Sequence, residues 1–305
     1  MKIGLIDVDG HHYPNIPLMK LSAWHKQNGD SVEWYSPLLS GHCDIVYVAK
    51  VFSFSPDYSF PITADRVIKG GTGYHIKLQN GVEIWEGLDE KLPEEIEHIY
   101  PDYGLYKIEN KAFGFLSRGC PRGCFFCHVK SKEGRKSYKV ADLSEFWRGQ
   151  KEIEICDPNI LACPDAEDLL GQLADSKSTV DINQGLDARL LTEKIAEKIK
   201  KIKMKNYHFA WDNPKDEDRI VPKLQMFSEI VGRNKSKNIC YCLVNFNSSI
   251  EEDLHRIYTL REMQFQPYVM IYDKEHSDSI YKKMQRWVNA PWLFWSVAKF
   301  EEYTG

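Results

Sequence analysis

Short apolar runs alternate with helical patterns along the first part of the chain. Lys2–Val8 reads as a buried strand, Pro17–Gln27 as a helix, and Val32–Tyr35, Asp44–Ala49 and Ile62–Ile68 as further strands, the last running into Gly70, Gly71 and Gly73. Strand, crossover helix, strand is the grammar of a parallel sheet with helices against it. A single clear helix in this stretch predicts a small Rossmann-like domain over 1–88, followed by a polar, Pro-bearing linker over 89–110. From Lys111 the rhythm is more regular. Ala112–Leu116, Glu152–Cys156, Thr179–Asn183, Tyr207–Trp211, Ile239–Phe246 and Pro267–Tyr272 read as strands. Asp142–Trp147, Ala166–Ala174, Thr192–Lys201, Asp216–Val231, Ser249–Met263 and Ser277–Val288 read as helices between or after them. Asp165 and Ser249 stand where helix N-caps belong.

The expected fold is therefore α/β: a partial (βα)6 TIM-like barrel over 111–296, preceded by the small Rossmann-like parallel-sheet domain and followed by a tail over 297–305. In such a barrel ligand chemistry belongs at the C-terminal ends of the strands.

Composition adds exclusions. The 305 residues are 43% hydrophobic and 28% charged, the balance of a globular protein rather than a disordered or fibrous one. Forty Lys plus Arg against 44 Asp plus Glu leave a net charge of -4, so no general pull toward nucleic acid or anionic lipid is expected. Lys194, Lys198, Lys200, Lys201, Lys203 and Lys205 read as a solvated surface. No run approaches the roughly 18 apolar residues of a membrane span, and the opening MKIGLIDVDG does not look like a signal segment. A cytoplasmic location without membrane or nucleic-acid partners is the expectation.

Eight cysteines in a reducing compartment point to metal or chemistry rather than bridges. Three of them fall in Ser117-Arg118-Gly119-Cys120-Pro121-Arg122-Gly123-Cys124-Phe125-Phe126-Cys127-His128, directly after an apolar strand. Gly119 and Gly123 allow tight turning, and Phe125 and Phe126 are placed to cover the thiols. A structural zinc site wants four ligands, and His128 follows Cys127 too closely to fold back onto the same ion. Three cysteines on one loop suit a 4Fe-4S cluster with one iron left open, thiolates being the usual cluster ligands. A zinc loop and a metal-free thiol cluster are the alternatives.

The Cys-x3-Cys-x2-Cys spacing after a first barrel strand, with Phe126 before the last cysteine, resembles the signature of the radical S-adenosylmethionine superfamily. The resemblance covers roughly Lys111–Trp295. It implies one 4Fe-4S cluster held by Cys120, Cys124 and Cys127, with S-adenosylmethionine chelating the open iron. It further implies an external one-electron reductant such as flavodoxin or ferredoxin, reductive cleavage to a 5′-deoxyadenosyl radical, and hydrogen abstraction from an unidentified substrate. The cofactors would carry the hard chemistry while the protein positions and shields them.

Phe126 is counted with the cofactor site by that resemblance. The family's Gly-Gly-Glu-like segment is replaced here by Ile155-Cys156-Asp157-Pro158-Asn159, where Asp157 and Asn159 are candidate partners of the cofactor's amino group. Gln184 lies at the rim of the third strand. Asp187 and Arg189 either pair across a turn or face cofactor and substrate, the guanidinium fork suiting a carboxylate. Asp212 is a candidate for ribose or substrate hydroxyls, or else a helix cap. Asn245, Asn247 and Met270 occupy strand ends that approach adenine or ribose in the family. Cys156 and Cys163 are candidate hydrogen-atom donors or substrate anchors, or else small buried hydrophobes. Cys240 and Cys242 share a strand face but two thiols do not complete a second cubane, so no auxiliary cluster is expected.

The amino-terminal segment is similar to the cobalamin-binding-like domain of one subgroup, here shortened. Asp9-x-His11 matches the start of its motif, but Pro14 stands where a glycine belongs, so cobalamin is not expected. His11 and His12 read as loop histidines. Methyl or methylthio transfer within the same superfamily is the enzymatic alternative, and a non-catalytic iron-sulfur or zinc binding module is the alternative of a different class.

Overall fold

The computed structural model describes residues 1–10, 13–79, 82–86 and 92–305, so His11, His12 and the start of the expected linker lie outside the described residues. Contacts divide the chain into Met1–Ile153 and Glu154–Gly305. The boundary expected over 89–110 falls inside the first unit.

In the first unit, β1 (Lys2–Asp7), β2 (Ser31–Trp34), β3 (Cys43–Ala49) and β4 (Ala64–Gly70) form a parallel sheet in the order β2-β1-β3-β4. Helix α1 (Ile16–Gln27) is the crossover between β1 and β2, started by Asn15, whose side chain accepts from the Leu18 amide. The strands bury both faces. Ile3, Leu5 and Ile45 pack with Leu18 and Leu21 of α1, while Ile6, Val46 and Val48 pack with Tyr35 and Cys43. Gly70-Gly71-Thr72-Gly73 then turns the chain into the short α2 (Thr72–His75). A Cβ on Gly71 would meet the Lys50 carbonyl oxygen at 2.4 Å and one on Gly73 the Phe52 carbonyl oxygen at 2.7 Å. These glycines serve a close approach of the chain to itself.

A two-stranded antiparallel hairpin, β5 (Ile76–Gln79) and β6 (Val82–Trp85), follows and was not expected from the sequence. After α3 (Glu94–Glu97), residues 92–110 are well packed: Ile96 joins the core, and the buried Tyr103 hydroxyl accepts from the Phe113 amide at 3.0 Å and donates to the Phe146 carbonyl at 2.8 Å. Strand β7 (Lys111–Gly114) leads to the two-residue ladder of β8 (Ser117–Arg118) and β9 (Tyr138–Lys139), with α4 (Val129–Lys132) between them. The helix expected over Asp142–Trp147 is a single 3-10 turn, Leu143–Glu145, closed by an Asp142–Glu145 capping box. Six residues offer too few propagating hydrogen bonds to repay helix nucleation.

Strand β10 (Glu152–Ile155) straddles the division. The second unit then alternates as the sequence predicts: α5 (Ala166–Ser176), β11 (Thr179–Ile182), α6 (Glu193–Lys201), β12 (Tyr207–Ala210), α7 (Glu217–Val231), β13 (Asn238–Val244), α8 (Ile250–Glu262), β14 (Gln266–Ile271) and α9 (Ser279–Val288), to which the structure adds the unexpected α10 (Pro291–Ser296). Strands β12, β13 and β14 form one parallel sheet in that order. Between β11 and β12 only the bridges Val180–Met204 and Leu186–Phe209 occur, and among the described residues no ladder closes a barrel. The α/β class and the βα rhythm stand at that coarser level. Ser249 caps α8 through a full capping box, whereas Asp165 occupies the N-cap position of α5 without a capping bond. Val244, Val269, Ile257, Met284, Trp287 and Phe294 make one core, and Phe300, in the expected tail, is buried in it.

Among the described residues no helix is long and apolar enough to cross a membrane.

Candidate functional site

The cysteine segment is an excursion from the β8–β9 ladder, and its base is clamped by one carboxylate. Glu133 takes the Arg118 guanidinium at 2.8 Å and the Gly119 amide at 3.0 Å, while the Cys120 amide donates to the Gly134 carbonyl at 3.3 Å. A charge-assisted pair with a backbone donor beside it is stronger than a neutral hydrogen bond. Gly119 makes this approach possible: its φ is +80°, and a Cβ there would sit 2.0 Å from the Lys136 carbonyl oxygen. Gly123 also adopts a left-handed φ, +62°, so both glycines turn the loop as expected.

Beyond the clamp, the Cys127 amide donates to the Cys124 carbonyl at 3.2 Å, and α4 begins immediately after His128. His128 Nδ1 lies 2.9 Å from Glu83 on β6, so its ring is engaged with the hairpin. The hairpin and α2 give two more supports. The Trp85 amide donates to Ser131 Oγ at 3.0 Å, and Lys132 Nζ donates to Thr72 Oγ1 at 2.6 Å.

All three cysteines are half-buried and none forms a disulfide. Burial pushes the Cys127 thiol above its ordinary value. The phenylalanines do not both cover the thiols: Phe125 is 50% exposed, its ring beneath Lys130, while Phe126 is half-buried. Among the described residues no three His, Cys, Asp or Glu side chains converge as ligands of one metal ion.

The other candidates lie in the second unit. Cys156 is half-buried, Asp157 fully buried, and Asn159 nearly so, its amide donating to Asp187 Oδ2 at 3.2 Å. Asp187 caps the turn 188–190 by accepting from the Arg189 amide, and it takes Arg189 Nε at 2.7 Å. Arg189 Nη1 reaches Asp216 at 3.1 Å. Of the two alternatives open for Asp187 and Arg189, pairing across the turn is the one present. Gln184 is exposed and donates to Asn183, whose amide in turn donates to the buried Glu154 at 2.7 Å. Cys163 is 4% exposed and its thiol lies 4.0 Å from Asp165.

Asp212 accepts from the Leu243 amide at 3.2 Å. Burial pushes its carboxyl up, against that hydrogen bond and the charges of Arg256 and Arg189. The wholly buried Arg256 holds these strand ends. It donates to the carbonyls of Trp211 and Leu243 and pairs with buried Asp253, which accepts the Asn245 amide at 3.1 Å. Asn245 and Asn247 both take left-handed φ, 62° and 51°. Asn245 Nδ2 donates to the Tyr272 carbonyl, Asn247 is exposed, and Met270 is 37% exposed. Sequence reasoning missed Glu133 and Arg256, since neither stands in a motif, and their roles follow from partners distant along the chain.

A shallow cleft lined by Ile16, Lys20, Phe113, Gly114, Phe115 and Phe146 lies in the first unit, and no cysteine lines it. No protein-family model matches the chain, and no curated protein matches it in sequence. Among solved structures it is similar to a radical S-adenosylmethionine methyltransferase, TsrM, from Kitasatospora setae, whose structure holds cobalamin and a 4Fe-4S cluster. The TM-score is 0.61 at 10% identity, over 88% of this chain and 74% of that chain. At this identity the likeness is one of architecture: the chain shares its fold with a radical S-adenosylmethionine enzyme.

Proposed function

We propose that this protein is an enzyme of the radical S-adenosylmethionine class, with Cys120, Cys124 and Cys127 holding one 4Fe-4S cluster. The observation that carries the reading is the Cys-x3-Cys-x2-Cys loop, clamped by Glu133, in a chain with the fold of a known member of that class. The donor set suits the group: three thiols on one ladder-closed loop, with His128 turned to Glu83. When bound, the cluster supplies the electron that cleaves S-adenosylmethionine.

The chain's own residues then bind and orient. Phe126, within the cysteine loop, would stand with the cofactor site. Asp157 and Asn159 would take the cofactor's ammonium, Asn245, Asn247 and Met270 would approach adenine or ribose, Gln184 would stand at the rim, and Asp187 and Arg189, paired with each other, would fix the strand end beside the cofactor. Asp212 meets a substrate hydroxyl, and Cys156 and Cys163 are the thiols nearest in sequence to the ammonium site. The reductant is an external one-electron carrier such as flavodoxin or ferredoxin. Cobalamin is not part of the proposal, because Pro14 stands where the motif's glycine belongs.

Within the class, methyl or methylthio transfer is favoured over hydrogen abstraction followed by rearrangement, because the fold neighbour is a methyltransferase. Anaerobic reconstitution with iron and sulfide, followed by S-adenosylmethionine and dithionite, tests both levels. S-adenosylhomocysteine formed together with 5′-deoxyadenosine supports methyl or methylthio transfer, and 5′-deoxyadenosine without S-adenosylhomocysteine supports hydrogen abstraction. Cys124→Ala abolishes both products. One zinc per chain with no turnover of S-adenosylmethionine overturns the proposal in favour of a binding module, and one bound corrin per chain overturns the cofactor assignment.

A further inference from the structure

The second unit carries a chain of polar groups that the cofactor reading does not use. Tyr207 and Phe209 of β12 pack edge-on against Phe227 of α7, so odd-numbered positions of this strand face the helices. His208 and Ala210 therefore face the other way, and parallel register places Tyr241 beside Ala210 and Tyr268 beside Tyr241. On this opposite face, His208 Nδ1 lies 2.9 Å from the Tyr241 hydroxyl, and His208 Nε2 lies 3.2 Å from Asp181 Oδ1 of β11. The second contact is close enough for charge pairing though off the line of an ideal hydrogen bond. Lys205 Nζ stands 3.5 Å from the other Asp181 oxygen.

The order of protons along this row follows from the end groups. Burial works to raise the Asp181 carboxyl, but the His208 contact and the Lys205 charge outweigh it and hold it below its ordinary value. An ionised Asp181 fixes the imidazole proton on Nε2, which leaves Nδ1 as an acceptor. Burial, then the charge of Asp181 and the neighbouring Tyr268, push the Tyr241 hydroxyl up to about 12, so it carries its proton and donates it to Nδ1. Its lone pairs remain to accept. The edge-on neighbour Tyr268 is 45% exposed and Met270, next along the same face, 37%. A flat, polarizable surface thus adjoins the hydroxyl.

We propose that Tyr241, His208 and Asp181 form a proton relay, with Tyr241 the catalytic residue that takes a proton from a weakly acidic N–H or O–H of a planar substrate. The X–H bond breaks with its electron pair kept on X. The proton joins the Tyr241 oxygen as that oxygen's own proton passes to His208 Nδ1, and the imidazolium is balanced by Asp181. No oxidant or further reactant enters. The proposal rests on the enzymatic reading above, which it deepens by naming the substrate's reacting group.

N-acetylimidazole serves as the probe, since acylation of a tyrosine oxygen needs the same proton removed. The full chain is treated, and modification of Tyr241 and Tyr268 is followed by peptide mass spectrometry. With the relay, Tyr241 is acylated and His208→Gln slows it by about 100-fold, the low end of base assistance, while Tyr268 is unchanged. Equal rates in both proteins overturn the proposal, as does a Tyr241 that stays unmodified while Tyr268 reacts, since its oxygen is then closed to any substrate. Histidine nitrogen NMR gives an independent reading: the proton on Nε2 of His208 supports the relay, and on Nδ1 it overturns it. Both measurements are repeated on Cys124→Ala, where the relay persists whether or not the cluster assignment survives.

Discussion

Gly119 shows how far one residue governs the cysteine loop. Its left-handed backbone costs a side chain-bearing residue about 1–2 kcal/mol, and a Cβ would also strike the Lys136 carbonyl. Gly119→Ala is therefore expected to separate Arg118 and Glu133, and to lower iron bound after reconstitution more than it lowers the thermal midpoint. Iron content that matches the parent chain defeats that expectation. Asp57 gives a pH signature away from the site. The Lys69 ammonium and the Tyr74 hydroxyl hold its carboxyl down to about 2, from an ordinary 3.8. A depressed carboxyl contributes stability that is complete above the ordinary value and lost as pH falls toward 2. Because Lys69 and Asp57 are 47% and 45% exposed, the effect is small and screened. Thermal midpoints between pH 4 and pH 2 should fall less steeply in Asp57→Asn.

At the scale of elements, Arg256 is the counterpart of Glu133: a buried charge that fixes backbone ends rather than touching ligand. Arg256→Leu leaves Asp253 buried without its partner and frees the carbonyls of Trp211 and Leu243. The expected loss is about 3–5 kcal/mol, read by urea unfolding. Ser249→Ala removes only a cap, for about 1 kcal/mol. The helices and strands of the second unit were legible because their apolar period and caps agree. Ser249 with Glu252, for instance, announces α8 before any contact is known. The β5–β6 hairpin was missed although Asn80-Gly81 between its strands is a turn signal, since its two strands are too short to show alternation. Asp142–Trp147 misled in the opposite sense: a good cap and three apolar residues satisfy one turn but not a helix.

For the whole molecule, the cysteine spacing was readable because the three cysteines are local in sequence. The Asp181, His208 and Tyr241 row was not, because it exists only in the register of three separate strands. Iron per chain checks the scale of the assignment: a reconstituted protein with near four irons fits one cubane, and near eight requires Cys156, Cys163, Cys240 and Cys242 to gather. The last two are wholly buried.

The bonds from Glu83, Trp85 and Thr72 to the stretch after Cys127 bear on any attempt to isolate the part of the chain that carries the cysteine loop. A shortened chain beginning at Lys111 keeps Cys120, Cys124 and Cys127 yet loses the partners that hold the stretch after them. Such a fragment is expected to retain the signature in its sequence and to take up less iron on reconstitution than the full chain, and equal iron per chain would show that the earlier segment is dispensable.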